Sequence, residues 1–192
     1  MFTREYWKSS AQKLRQTEYL ALIAMFIAVK CVAGAFYIPV GENLRILMTF
    51  VFVASEAAII GPVAGAVSGM IADIVGFMIH PSGPFFFGYT ITAMCGSVIY
   101  ALFLYRQRIT ILRLALAKTV VNYGVNVLLG ALWSQMLYGK GYIYYAGKSL
   151  VKNTMMLPAE IIILVLLFNV IVPILQKRRL IPNSTTVPLK LY

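Results

Sequence analysis

Lys118, Asn122, Asn126 and Gly130 recur every four residues inside an otherwise apolar run, and Trp133 follows Asn126 by seven. On a helix this spacing gathers them on one face, a polar stripe within hydrocarbon where an unpaired group is costly. Two uses fit equally: hydrogen bonding between helices, or the lining of a ligand cavity. A second set lies at His80-Pro81-Ser82-Gly83-Pro84, where prolines and a glycine stop one apolar helix before Phe85, Phe86, Phe87 and Tyr89 open the next. Asp73 precedes that break by less than two helical turns, so a carboxylate and flat rings share one rim. A third set is Arg45, Lys148 and Lys152, at the starts of two apolar segments. Cations beside aromatic faces suit non-covalent capture of an anionic, aromatic solute.

Catalytic readings fail on inventory. The chain holds one histidine and no H-E-x-x-H. Its G-A-V-S-G segment, Gly65 to Gly69, only loosely resembles an intramembrane serine protease motif. Ser68 and His80 share one helix about 18 Å apart at 1.5 Å per residue, too far for a nucleophile and its base. The stretch from Gly141 through Gly147-Lys148-Ser149 has one residue too many between its glycines for a P-loop. Cys31 and Cys95 fall inside apolar runs without metal-ligand spacing and read as inert buried thiols. No catalytic residue, metal site or cofactor is expected, and any ATP-driven step falls to a partner.

The elements that must position these residues are membrane spans. Of 192 residues, 60% are apolar and only 12% charged, and the mean hydropathy is +0.81, so a soluble fold could not cover itself with polar surface. The net charge of +11 is dispersed between apolar segments, which argues against nucleic acid and for topology signals. Residues 1–17 mix Arg4, Lys8, Lys13 and Arg15 with Phe2, Tyr6, Trp7 and Leu14, as an interfacial helix would. The first span runs from Tyr19 to about Tyr37. Its Ala33-Gly34-Ala35 imitates a signal cleavage site, against which Lys30 argues. Ala21, Ala24 and Ala28 supply small residues at helical spacing, for internal packing or for close approach of another helix.

A polar loop, residues 38–45, leads to a second span over Ile46 to Ile60 containing Glu56. Gly61-Pro62 then turns the chain into a third span, where Gly65, Gly69 and Asp73 repeat at four-residue intervals. A fourth runs from Phe85 to Tyr105 and a fifth from about Ile111 to Leu137. Tyr138 to Gly147 reads as an aromatic, glycine-rich external loop, and the sixth span from about Ser149 to Leu175 carries Glu160. The expected architecture is an all-α membrane protein, six transmembrane helices in a compact bundle with cytoplasmic termini. It divides into an interfacial segment 1–17, a substrate-binding domain 18–176 and a tail 177–192. Asp73 and Lys30 both fall about 9 Å below the outer ends of their helices at 1.5 Å per residue, so Asp73 is expected to pair with Lys30 or with the ligand.

The order of Leu44-Arg45-Ile46, Gly61-Pro62, Ala72-Asp73-Ile74-Val75-Gly76, Pro81-Ser82-Gly83-Pro84-Phe85-Phe86, Gly88-Tyr89-Thr90, Tyr138-Gly139-Lys140-Gly141 and Met156-Leu157-Pro158 resembles the folate-type S components of energy-coupling factor (ECF) vitamin transporters over nearly the whole chain. The Asp-x-x-Gly to Pro-Ser-Gly-Pro stretch is the specific part. The departure is Phe87, where the family usually has proline. The resemblance implies a bundle in the bacterial plasma membrane that captures a vitamin from outside. Through Ala24 and Ala28 it would dock on a transmembrane coupling subunit that works with two cytosolic ATPases. For folate, Arg45, Lys148 and Lys152 would face the glutamate carboxylates, and Phe85, Phe86, Asn126 and Trp133 the rings, with Asp73 and Asn122 for the pterin's donors. Riboflavin or pantothenate S components share the architecture, and a membrane assembly protein whose polar faces only hold subunits together is the reading from another class. A self-sufficient secondary transporter would show inverted repeats, and residues 1–96 and 97–192 show no self-similarity.

Basic residues set the expected sidedness. Four lie before the first span, three after the fourth and four after the sixth, which makes that side cytoplasmic. A Ser82→Cys variant lacking Cys31 and Cys95 should react with an impermeant thiol reagent on intact cells. Reaction only after lysis would reverse the assignment.

Overall fold

The computed structural model describes residues 4–35, 37–41, 44–81, 84–139, 141–182, 185 and 187–191, with the side chains of 35–47 outside that description. In chain order the elements are α1 (Arg4–Lys13), α2 (Thr17–Ala35), strands β1 (Tyr37–Gly41) and β2 (Leu44–Leu47), α3 (Thr49–Ile60), α4 (Pro62–Ile79) and α5 (Phe87–Leu104). After α6 (Ile111–Val120) a π-helical stretch (Val121–Leu129) and α7 (Gly130–Tyr138) continue one rod, and α8 (Tyr142–Lys177) closes the chain's helices. Among the described residues five helical rods are long and apolar enough to cross a membrane: α2, α4, α5, the α6–α7 rod and α8.

Two boundaries differ from the sequence reading. The second apolar segment is not helical from Ile46: α3 has 12 residues, about 18 Å, well short of a hydrocarbon layer of about 30 Å. Residues 44–47 pair instead as β2 with β1 in an antiparallel hairpin, Ile38 opposite Ile46 and Pro39 opposite Arg45. Pro39 and Gly41 disfavour helix on one strand while β-branched residues favour pairing on both. The hairpin lies against α8. Helix α8 in turn starts at Tyr142 and not Ser149, and runs through Pro158 and Pro173. The expected external loop is shorter for that reason: Gly139, at φ 74°, ends α7, and nothing from Tyr142 onward interrupts a helix.

One end of the bundle is closed by the two ends of the chain. Gly61 turns α3 into α4 at φ 84°, and a Cβ there would meet the Tyr105 ring at 2.8 Å and Ser10 Oγ at 2.9 Å. Ser10 fills the space that glycine leaves. Its hydroxyl donates to the Ile60 carbonyl (2.9 Å) and accepts from the Val63 and Ala64 amides (3.0 and 3.2 Å), so α1 caps the start of α4. Tyr6 donates to the Ala101 carbonyl at 2.9 Å, and burial, with the neighbouring Tyr105, pushes its phenol up to about 12. Lys13 donates to the Ile59 carbonyl and sits 4.7 Å from the ring centres of both Tyr19 and Tyr105. The segment before the first span is therefore helical, and it is bolted to the bundle. The C-terminal residues reach the same end: the Lys190 and Leu191 carbonyls accept from the Ile111 and Leu112 amides, each at 3.0 Å, satisfying the first turn of α6.

Within the bundle, Lys30 of α2 donates to Glu56 of α3 (2.6 Å) and to Ser68 of α4 (3.0 Å). Both charged side chains are buried, 5% and 1% exposed. Lys30 thus pairs with Glu56, not with Asp73. Counting depth from helix ends missed this because α3 starts inside the bundle and carries its carboxylate to Lys30. Removing one partner strands the other charge in hydrocarbon, at about 3–5 kcal/mol, whereas removing both leaves none. Lys30→Met and Glu56→Met should each lower the melting temperature in detergent more than the double variant does; additive losses would show that the charges do not depend on one another.

Candidate functional site

A cavity of about 850 Å³ opens between α2, α3, α4, α5, the α6–α7 rod and α8. Its upper wall, at the His80 end, is aromatic. Phe85 meets Phe77 edge-on at 5.2 Å, and Phe86 meets Tyr89 at 6.2 Å and Trp133 at 5.7 Å between ring centres. Phe77, Phe85, Phe86 and Tyr89 all line the cavity. Trp133 is not among the lining residues; it backs Phe86 and donates its indole N–H to Thr92 at 3.0 Å. The structure places it behind a ring of the cavity wall and not in the wall itself. Gly88 makes the stack possible, since a Cβ at that position would intrude on the Phe86 ring and reach Trp133 at 2.6 Å.

Asp73 lines the cavity from α4 and accepts from the buried Thr90 hydroxyl at 2.7 Å through one carboxylate oxygen. The sequence reading had not seen Thr90 as its partner, although Asp73 and Thr90 flank the same turn at matching depth. Lys152 also lines the cavity and has no ion-pair partner among the described residues. Lys148, one turn earlier on α8, is exposed and is not among the lining residues. The side chain of Arg45 lies outside the described residues.

The polar stripe divides between its two possible uses. Asn122 is wholly buried and donates to Glu160 at 2.8 Å, and Lys118 approaches the other Glu160 oxygen at 3.2 Å, so these two residues tie the α6–α7 rod to α8. Asn122 is thus placed as an anchor between helices, and it is not among the lining residues. Asn126 lines the cavity and donates to Asn122 at 3.3 Å. Both asparagines lie in the π-helical stretch, a conformation that recurs at functional sites. Lys118 also lies 4.0 Å from the centre of the Phe50 ring. Lys30, Phe50, Ser97, Tyr100, Lys118 and Glu160, none of them in the expected site, form the cavity's deeper part. Intramembrane charge was the available signal for Lys30, Lys118 and Glu160; nothing in the spacing marked Phe50, Ser97 or Tyr100. On the opposite side of α2, Ala24 and Ala28 are exposed beside Met25 and Val32.

Residues 18–176 match the family model of the ECF transporter substrate-specific component. The chain belongs to this family, a multi-pass membrane protein that serves as the substrate-binding part of a transporter. Among curated relatives it is similar to the folate transporter FolT of Clostridium novyi (strain NT), 29% identical over 151 residues, covering 79% of this chain and 88% of that one. It is also similar to FolT of Leuconostoc mesenteroides subsp. mesenteroides, 28% identical over 160 residues, covering 80% and 85%. Among solved structures, the crystal structure of FolT bound with folic acid superposes with a TM-score of 0.72 at 29% identity, covering 80% of this chain and 94% of that one.

The crowding around Gly88 yields a direct check. The chain has two tryptophans, Trp7 and Trp133, so a Trp7→Phe background isolates the fluorescence of Trp133. Gly88→Ala should shift that emission and lower the melting temperature, because the added methyl displaces both rings; unchanged emission and stability would contradict the stack.

Proposed function

We propose that this chain is the folate-binding S component of an ECF importer in the bacterial plasma membrane, with six transmembrane elements and both termini cytoplasmic. It captures folate from outside and presents it to a transmembrane coupling subunit driven by two cytosolic ATPases. The family match and the FolT relatives support the transport role, and the folic acid bound in a FolT of similar fold supports the substrate. Docking on the coupling subunit is assigned to the Ala24 and Ala28 face, since small exposed side chains let a partner helix approach closely where lipid supplies no hydrophobic drive.

The observation that carries the reading is how charge is distributed along the cavity. The ammonium of Lys152, on an exposed residue of the cavity wall, has no counter-ion among the described residues, whereas the buried Lys30 and Lys118 are each paired with a glutamate. A ligand with carboxylates at one end and a flat neutral heterocycle at the other suits that division. Lys152, with Arg45 from β2, is assigned to the glutamate carboxylates, and Phe85, Phe86 and Asn126 to the rings. The free oxygen of Asp73 is assigned to a ligand N–H at the level of those rings.

Protein purified without added vitamin should carry a co-purifying compound with the ultraviolet spectrum of a pterin. Lys152→Ala should weaken folate about tenfold, equivalent to about 1.4 kcal/mol, and pteroate, which lacks the glutamate, much less. Phe86→Ala should weaken both alike. Equal losses of folate and pteroate in Lys152→Ala would defeat the carboxylate assignment, and binding of riboflavin or pantothenate with no folate would leave only the family.

A further inference from the structure

The deep end of the cavity has two polar groups that the protein itself does not satisfy. The hydroxyls of Ser97 and Tyr100 are buried and have no hydrogen-bond partner among the described residues. Both residues line the cavity, and as neighbours three apart on α5 they share one helical face. Counted from Phe87 at 1.5 Å per residue, they lie roughly 15 and 20 Å below the start of that helix. Asp73, bonded to Thr90 near the start of α5, belongs to a shallower level.

The remaining polar groups of the floor are already engaged. Lys30 is held by Glu56 and Ser68, and Glu160 by Lys118 and Asn122. Each ammonium is balanced by one carboxylate, so the floor has no net charge, and a ligand carboxylate placed there would meet Glu160 without a free cation. A hydroxyl buried and unbonded in a membrane interior is unfavourable, whereas a phenyl or methyl in its place is not. The groups are therefore suited to a partner that arrives in the cavity, one that is neutral, flat, and carries donors and acceptors along one edge.

We propose that Tyr100 and Ser97 are specificity-determining residues that hydrogen-bond the polar edge of the ligand's heterocycle, which for folate is the pterin. The inference rests on the folate reading above and adds to it a floor that neither the spacing nor the charge pattern of the sequence marked. Each hydroxyl can donate to a ring nitrogen or carbonyl and accept from a ring N–H, so the pair reads an edge of alternating donors and acceptors. A purely apolar ring leaves them unpaired.

Tyr100→Phe and Ser97→Ala separate a ligand role from a structural one, since neither hydroxyl has a partner among the described residues to lose. In the ligand-free protein the melting temperature should stay the same or rise. Tyr100→Phe should weaken folate and pteroate about tenfold and Ser97→Ala several-fold, while p-aminobenzoylglutamate, which lacks the pterin, binds as weakly to the variants as to the wild type. Unchanged folate affinity in both variants overturns the proposal, as does a fall in ligand-free stability with affinity intact, which makes the hydroxyls part of the protein's own packing. Failure of the wild-type protein to bind folate at all defeats instead the substrate reading on which the floor's assignment rests.

Discussion

Hydrocarbon offers no water to a polar group, and the bundle is arranged around that constraint. Among the described residues four charged side chains are buried within the helices, and each finds its opposite: Lys30 with Glu56, Lys118 with Glu160. The first pair, with Ser68, joins α2, α3 and α4; the second, with Asn122, joins the α6–α7 rod and α8. Together they tie α2, α3, α4, the α6–α7 rod and α8 across the space that becomes the cavity. Such pairs add little net stability over apolar residues of the same volume, but a wrong arrangement leaves a bare charge in lipid and is heavily penalised. What they contribute is discrimination against misplaced helices.

The cavity exists because one element is too short. At 12 residues α3 cannot fill its lane, and beyond its start the chain returns as a hairpin resting on α8. The opposite end is held by the two terminal segments. Ser10 caps α4 through a turn that only glycine can make, and the C-terminal residues satisfy the first amides of α6. The closed end is therefore held by directional hydrogen bonds, and the open end by rings stacked about Gly88. Packed rings can be parted and restored more readily than backbone caps, which suits an end through which a ligand passes.

Helix α2 serves two surroundings at once. Lys30 and Phe26 face inward and are buried, while Ala24 and Ala28 are exposed on the other side. Residues 28 and 30 differ by about 200° around a helix, so the cation that organises the interior and the small residues that admit a neighbour do not compete. One rod can carry both a wall of the cavity and a face for another subunit.

Membrane class, the Gly61-Pro62 turn, the aromatic rim after His80 and the small-residue face of α2 were legible in the sequence, because hydropathy, helix breakers and helical phase are local properties. So was the cost of each intramembrane charge. The partners were not. Lys30 found Glu56 and Asp73 found Thr90 because the short α3 and the depth of each helix fix which groups stand level, and those offsets come from packing between segments distant in sequence. The hairpin at 44–47, the early start of α8, the place of Trp133 behind Phe86 and the unbonded hydroxyls of Ser97 and Tyr100 have the same origin. The sequence by itself determined which groups had to be satisfied away from water; the tertiary structure decided by which neighbour, since only packing sets relative depth and rotation, and it left two for a ligand.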